Sequence, residues 1–317
     1  MTGIRTEVGH TGIAVVIVAF NNADTIAQLV ETALGLPECE LVVVVDNGSD
    51  GSADIAQAAG AKVLRRPDNP GFGSSQNAGV ALVDQPFVLL LNPDAEPNPA
   101  GVAAGIQILR TGASVAAVQG VITSRHHGGP ERSMGPDIRW VHLVGRALAL
   151  RNLLRTRVGR SLALTGGVAD HVERVPENAT AVETLSAVAP LFRTSAFREV
   201  KGFDESYFLY GEDLDLCRRL RIRGWELVGI PVSWATHADG STAKSDIDRE
   251  LSWWTGTMRY AAGSFSTLAF YAALCASGVM ACRILVRRPS LYRTATRSML
   301  SVPFRLRLTA RETPPNN

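Results

Sequence analysis

The 317-residue chain predicts an α/β fold, a doubly wound, mostly parallel sheet with helices on both faces, followed by a helical C-terminal extension. Three observations carry this prediction. The apolar runs IAVVIVAF (13–20), LVVVV (41–45) and VLLL (88–91) lack polar alternation, as do strands covered on both faces. Each run ends in a polar turn and passes into a helical segment, the alternation that yields parallel strands with right-handed crossovers. Asn98, Pro99 and Gly112 punctuate one helix with a cap, a first-turn proline and a stop.

The elements follow in order. Residues 13–20 form a central strand bounded by Gly12 and Asn21, and Asn22 or Asp24 caps a helix running to about Leu34. Residues 41–45 form a second strand, which ends in Asp46-Asn47-Gly48-Ser49-Asp50-Gly51-Ser52 before a helix through Ala59. A short third strand covers 62–65, and NPGFGSSQN (69–77) opens a helix to about Val83. The strand at Val88 comes next, then the Asn98-capped helix and a strand over 115–121. Residues 123–183 have little periodicity. Further on, 188–192 reads as a strand, Thr194 as a helix cap, 214–223 as a helix closed by Gly224, and 225–229 as a strand. With 46% apolar residues the chain has ample material for one large domain or two smaller ones.

The stretch VLLLNPDAEP is the centre of the candidate site, because open α/β sheets bind ligands at the carboxyl edge of their strands. Asn92 and Asp94 stand there either as turn residues or as groups facing a divalent cation that carries phosphate oxygens. Asp46 ends the second strand, where a carboxylate accepts from a uracil or thymine ring or a sugar hydroxyl, or simply shapes a turn. Gly71 and Gly73 do not make a dinucleotide loop, since the full glycine pattern and its acidic partner are missing, and no Walker lysine is present. Glu212, Asp213 and Asp215 crowd a helix start. They either complement its dipole or supply a general base whose pKa its neighbours raise. His237 follows a strand-like stretch and is either an ordinary surface or core histidine or part of an octahedral cation shell with Asp94.

Taken together, AFNN, VVVVDNGSDGS, NPGFGSSQN with LLLNPDAEP, and GFDESYFLYGEDLDLCRRLRIRGW followed by His237 resemble the family 2 glycosyltransferases of the GT-A fold. The likeness is greatest to the bacterial rhamnosyltransferase-like branch and covers roughly residues 12–242. The resemblance implies an inverting transfer of one sugar from a nucleotide-diphosphate donor with Mg²⁺ or Mn²⁺. It places Phe20, Asn21 and Asp46 at the base and ribose, and Gly73, Asn77, Asn92 and Asp94 in the nucleotide-sugar site. Asn92 replaces the first aspartate of the family's D-x-D, which leaves Asp94 as the expected metal ligand. The same resemblance makes Asp213 the catalytic base, beside Glu212, and His237 a second metal ligand. It also implies a domain division at 242, with 1–122 binding nucleotide, 123–242 carrying acceptor and base, and 243–317 forming a basic helical extension.

The net charge of +2 conceals arginine-rich stretches over 146–160 and 283–311. The first predicts either a basic amphipathic helix or an ordinary solvated surface helix. Residues 261–282 are uncharged yet rich in Ala, Ser and Gly, which favours a pair of interfacial helices on anionic lipid over a membrane span. Cys39, Cys217, Cys275 and Cys282 have no metal-like spacing and read as free thiols in a reducing compartment, and no apolar signal core opens the chain. The expectation is a cytoplasmic protein at the inner face of the plasma membrane. Its expected partners are a nucleotide-sugar donor and a glycan or lipid-linked acceptor, with no nucleic acid and with an oligomer left open. The donor is read as dTDP-rhamnose, with UDP sugars such as galactofuranose, a sugar-1-phosphate nucleotidyltransferase, or a non-catalytic binding module as alternatives.

Overall fold

The computed structural model describes residues 10–126, 128–131, 133–147, 176–238 and 246–287. The basic helix expected over 146–160 lies outside the described residues except for its start, as do His127 and the arginines from Arg288 onward. Four parallel strands begin the sheet: β1 (Ile13–Ala19), β2 (Cys39–Asp46), β3 (Lys62–Arg65) and β4 (Phe87–Leu91). The helices between them are α1 (Ile26–Leu34), α2 (Ser52–Ala58) and α3 (Phe72–Val80). Then come β5 (Ala95–Pro97), α4 (Pro99–Thr111), β6 (Val115–Ser124), β7 (Met134–Gly135) and α5 (Trp140–Ala147). The remainder is β8 (Thr180–Ala181), β9 (Thr184–Leu185), β10 (Leu191–Arg193), α6 (Thr194–Glu199), α7 (Glu212–Ile222), β11 (Glu226–His237), α8 (Asp246–Ser264) and α9 (Thr267–Arg287).

Among the described residues, nine strands form one sheet in the order β3-β2-β1-β4-β10-β6-β11-β5, with β8 also on β11. β10 is antiparallel to both β4 and β6. The reason is where the chain re-enters. Val188 accepts from the Asn92 amide at the carboxyl edge of β4, so the segment from 188 must run back down the sheet. Every residue of β1 and β4 is buried, and successive side chains of β1 enter opposite cores. Ile13, Val15 and Ile17 join α1 and α4 residues such as Ile26, Val30, Val102 and Ile106. Ala14, Val16 and Val18 join Phe192, Phe197, Phe203, Leu216 and Leu220 on the other face. Helices thus cover both faces, as the uninterrupted apolar runs require.

The helix limits show where side-chain chemistry decides. Asn98 caps α4, its Oδ1 accepting from the Ala100 and Gly101 amides at 3.0 and 3.1 Å. Neither Asn22 nor Asp24 caps α1. The Asn22 side chain instead accepts from the Phe20 amide, and the helix starts after Thr25. Thr194 is likewise no cap: its hydroxyl donates to the Gln85 carbonyl and it is the first residue of α6. The uncharged run over 261–282 breaks at Phe265-Ser266, between α8 and α9. No helix among the described residues is long and apolar enough to cross a membrane.

The chain divides into two compact units. The first draws on Met1–Gly135, Val175–Glu205 and Leu216–Ser241, and the second on Pro136–Arg174, Ser206–Asp215 and Thr242–Asn317. The division therefore departs from a single cut at 242. Residues 206–215 group with the C-terminal helices because two backbones touch: a Cβ on Gly256 would meet the Tyr210 carbonyl at 1.8 Å, and one on Gly211 the Gly256 carbonyl at 2.6 Å. In this second unit Trp254, Met258, Tyr260 and Phe270 form a separate apolar core.

Candidate active site

In the first unit the parallel register aligns Ala19 with Asp46, so the loops after β1 and β2 leave the sheet side by side. Asn21 has φ 56°, a left-handed conformation that asparagine tolerates. Its Oδ1 accepts from the Ser49 amide at 3.3 Å, while Asp46 accepts from the Gly48 amide at 3.0 Å. A Cβ at Gly48 would lie 2.6 Å from the Asn21 amide nitrogen, so only glycine permits this approach. The structure thus brings Asn21 and Asp46 together, with Phe20 exposed beside them and Asp46 buried.

Asn92 and Asp94 follow β4, next to β1 in the sheet. Asn92, Pro93, Asp94 and Ala95 form a turn closed by the Ala95 amide on the Asn92 carbonyl, as the turn reading expects. Among the described residues the buried Asn92 Oδ1 has no hydrogen-bond partner. The turn leads straight into β5, which pairs antiparallel with the end of β11 in the register Ala95 to His237. His237 Nε2 consequently lies 3.1 Å from Asp94 Oδ1, and the Ala238 amide donates to the Asp94 carbonyl.

The other imidazole nitrogen, Nδ1, lies 2.9 Å from Glu131 Oε2. The sequence reading did not include Glu131. It sits in the aperiodic stretch after β6, where the chain folds back so that the Glu131 amide donates to the Ile122 carbonyl. No spacing signal could have found it, because only this return loop brings it to His237. Burial disfavours the imidazolium, but the hydrogen bond and charge of Asp94, joined by those of Glu131, prevail and raise the His237 pKa to about 9.

Two donors therefore converge on one point, Asp94 Oδ1 and His237 Nε2, while Glu131 acts from the far side of the ring. Among the described residues no group of three or more His, Cys, Asp and Glu is arranged to enclose a cation. The pair still fits one. Neighbouring ligands of an octahedral ion with bonds near 2.1 Å stand about 3 Å apart, which matches the observed separation, and such ions commonly take the rest of their shell from phosphates and water. A metal would displace the imidazole proton, and Glu131 would orient the ring from its other nitrogen.

Gly73 and Asn77 on α3 are engaged differently. The Asn77 amide donates to the Phe203 carbonyl at 2.9 Å and to Glu205 Oε1 at 3.1 Å, and its Oδ1 accepts from the Phe203 amide at 2.8 Å. A Cβ on Gly73 would meet Phe203 at 2.9 Å. Both residues hold the 202–205 turn in place, and Gly202 at φ 66° leaves room for the Asn77 amide.

Glu212 and Asp213 belong to the second unit. They start α7, where acidic groups complement the helix dipole. Glu212 is buried, its Oε2 has no hydrogen-bond partner among the described residues, and burial followed by the charge of Asp213 pushes its pKa up to about 8. Asp213 is half-buried and accepts from the Leu214 amide at 2.8 Å.

Residues 10–256 match the family described as glycosyltransferase like family 2, and the chain belongs to that family. Among characterised relatives it is 28% identical over 250 residues to the N-acetylglucosaminyl-diphospho-decaprenol L-rhamnosyltransferase of Mycobacterium tuberculosis, covering 69% of this chain and 78% of that protein. It is 37% identical over 84 residues to the rhamnosyltransferase WbbL of Escherichia coli, a match over 26% of this chain and 32% of the other. Among solved structures, S. aureus TarS aligns over 95% of this chain and 55% of its own, with a TM-score of 0.51 at 13% identity. That likeness confirms the GT-A-like fold. The protein is thus a family 2 glycosyltransferase, similar to bacterial relatives named rhamnosyltransferases.

Proposed function

We propose that this glycosyltransferase inverts configuration as it moves rhamnose from dTDP-rhamnose to a hydroxyl of a glycan or polyprenyl-diphosphate-linked acceptor in cell-envelope polysaccharide synthesis, working at the cytoplasmic face of the membrane. The observation that carries the reading is the Asp94–His237 pair at the carboxyl edge of the sheet, 3.1 Å apart and backed by Glu131. The names of the mycobacterial and E. coli relatives support rhamnose over other sugars.

In this reading Phe20, Asn21 and Asp46 receive the base and ribose, Asp94 and His237 hold Mg²⁺ or Mn²⁺, and Asp213 removes the proton from the acceptor hydroxyl as its oxygen attacks the anomeric carbon. A divalent ion bound there supplies positive charge to the departing diphosphate. Glu212, neutral below about pH 8, keeps a second negative charge away from Asp213. Thermal-shift screening of nucleotide sugars with Mn²⁺ tests the donor: the reading expects the largest stabilisation from dTDP-rhamnose. A larger response to a UDP sugar would replace rhamnose, and no response to any nucleotide sugar would remove the transferase reading.

A further inference from the structure

The second unit contains a helix that is apolar on the side it does not bury. In α9, Phe270, Ala273 and Ala276 point into the apolar core with Trp254 and Tyr260. Leu268, Tyr271, Cys275 and Val279 are exposed instead, Leu268 at 83%, Tyr271 at 48% and Val279 at 38%. Their spacing of three, four and four residues places them along one line of the helix. From Leu268 to Cys282 there is no charged residue at all, so the outward face has nothing to bind water strongly. A surface helix of a soluble domain ordinarily turns charged groups outward, and a continuous exposed apolar line marks a contact surface.

Charge identifies what contacts it. Between Glu250 and Glu312 the chain has no aspartate, glutamate or lysine, and its arginines are Arg259, Arg283, Arg287, Arg288, Arg293, Arg297, Arg305, Arg307 and Arg311. An apolar helix face continued by an acid-free arginine segment is complementary to a surface that is apolar below and negatively charged above. α9 is too short of apolar residues to span a bilayer, which leaves a position in the interface plane.

We propose that the Leu268-Tyr271-Cys275-Val279 line of α9 inserts into the headgroup boundary of an anionic lipid surface. The inference deepens the proposed function by naming the face that meets the membrane, and rests on it only for the benefit of reaching a lipid-linked acceptor. Cys275 gives a direct reading of the contact, since its exposed thiol reacts with a water-soluble maleimide unless the face is covered.

Full-length protein is floated with vesicles of phosphatidylcholine alone or mixed with phosphatidylglycerol, and Cys275 modification is followed by peptide mass. Flotation with the mixed vesicles, its weakening by salt, and protection of Cys275 only when they are present are the expected results. Leu268→Asp with Tyr271→Asp is expected to reduce vesicle binding at least about tenfold, because both apolar groups lose their burial, while nucleotide-sugar stabilisation is unchanged. Failure to float, or equal flotation of the double variant, overturns the proposal. Slow modification of Cys275 without vesicles also overturns it: a concentration dependence would then point to a second copy, and its absence to the chain's own residues 288–317 as the cover. Donor binding is scored separately, so loss of vesicle binding with donor binding intact rejects this inference alone. Vesicle binding without any nucleotide-sugar response rejects the transferase reading alone.

Discussion

Two carboxylate centres in this molecule meet the cost of a buried negative charge in different ways. Asp94 shares an imidazole with Glu131, so positive charge balances two carboxylates around His237. Glu212 has no such partner at Oε2 among the described residues and holds a proton instead, with Asp213 beside it. The difference separates two kinds of chemistry. On the function proposed above, the first centre exchanges its imidazolium proton for a metal ion and the second, balanced by a proton, serves proton transfer.

The largest expected effect tests the second centre. Asp213→Asn should lower turnover by about 10²- to 10⁴-fold while donor affinity stays constant, as measured by steady-state kinetics beside calorimetry. Loss of donor binding with the chemistry intact would remove Asp213 from the base role. At the first centre, Asp94→Ala should weaken Mn²⁺-dependent donor binding by roughly 100-fold, the upper end of what even outer-shell changes cause at metal sites. Unchanged calorimetric affinity with Mn²⁺ present would dissolve the distinction between the centres. Glu131→Gln should reduce Mn²⁺ affinity by roughly 10- to 100-fold and leave binding of free nucleotide alone, because it acts on the metal only through the His237 ring.

The smallest effect is on stability against pH. Glu212 keeps its proton in the folded state up to about pH 8, whereas the unfolded chain releases it near 4.5, so this group costs stability progressively as pH rises between those values. His237 has a raised pKa as a base, so its contribution is complete below 6.5 and disappears as pH rises through about 9. Both centres thus destabilise the protein on the alkaline side, in offset windows. In metal-free buffer, Glu212→Gln should abolish the lower window and retain the upper one, which melting temperatures across pH 4–10 would resolve. A melting curve series that keeps both windows would show that Glu212 is ionised in the fold.

Much of the architecture could be read from the residues because single side chains determine it locally. The β-branched runs of β1, β2 and β4 and the Asn98-Pro99 start of α4 are of this kind. What could not be read depends on distant pairing. β5 has three residues and exists because β11 offers it an edge, and β10 enters antiparallel because Val188 meets Asn92. The site shows the same division. Asp46, Asn92 and Asp94 stand out in the sequence at strand ends and His237 after an apolar stretch, whereas Asn21 enters only through the family resemblance. Glu131 was not, since its relation to His237 spans more than a hundred residues and arises from a return loop. Asn77 shows the converse: its position in a recognisable motif gave no sign that its amide is committed to Phe203 and Glu205.

The three-residue ladder between β5 and β11 has a consequence for how such an enzyme can diversify. Because Ala95 faces His237 in register, the distance from carboxylate to imidazole is set by main-chain pairing and not by the surrounding loops. Loops that do not touch His237 can then lengthen, shorten or be exchanged without disturbing the Asp94–His237 spacing. A designer seeking a new donor preference should leave residues 94–97 and 235–238 untouched, together with the Glu131 return loop that holds His237 from its other side.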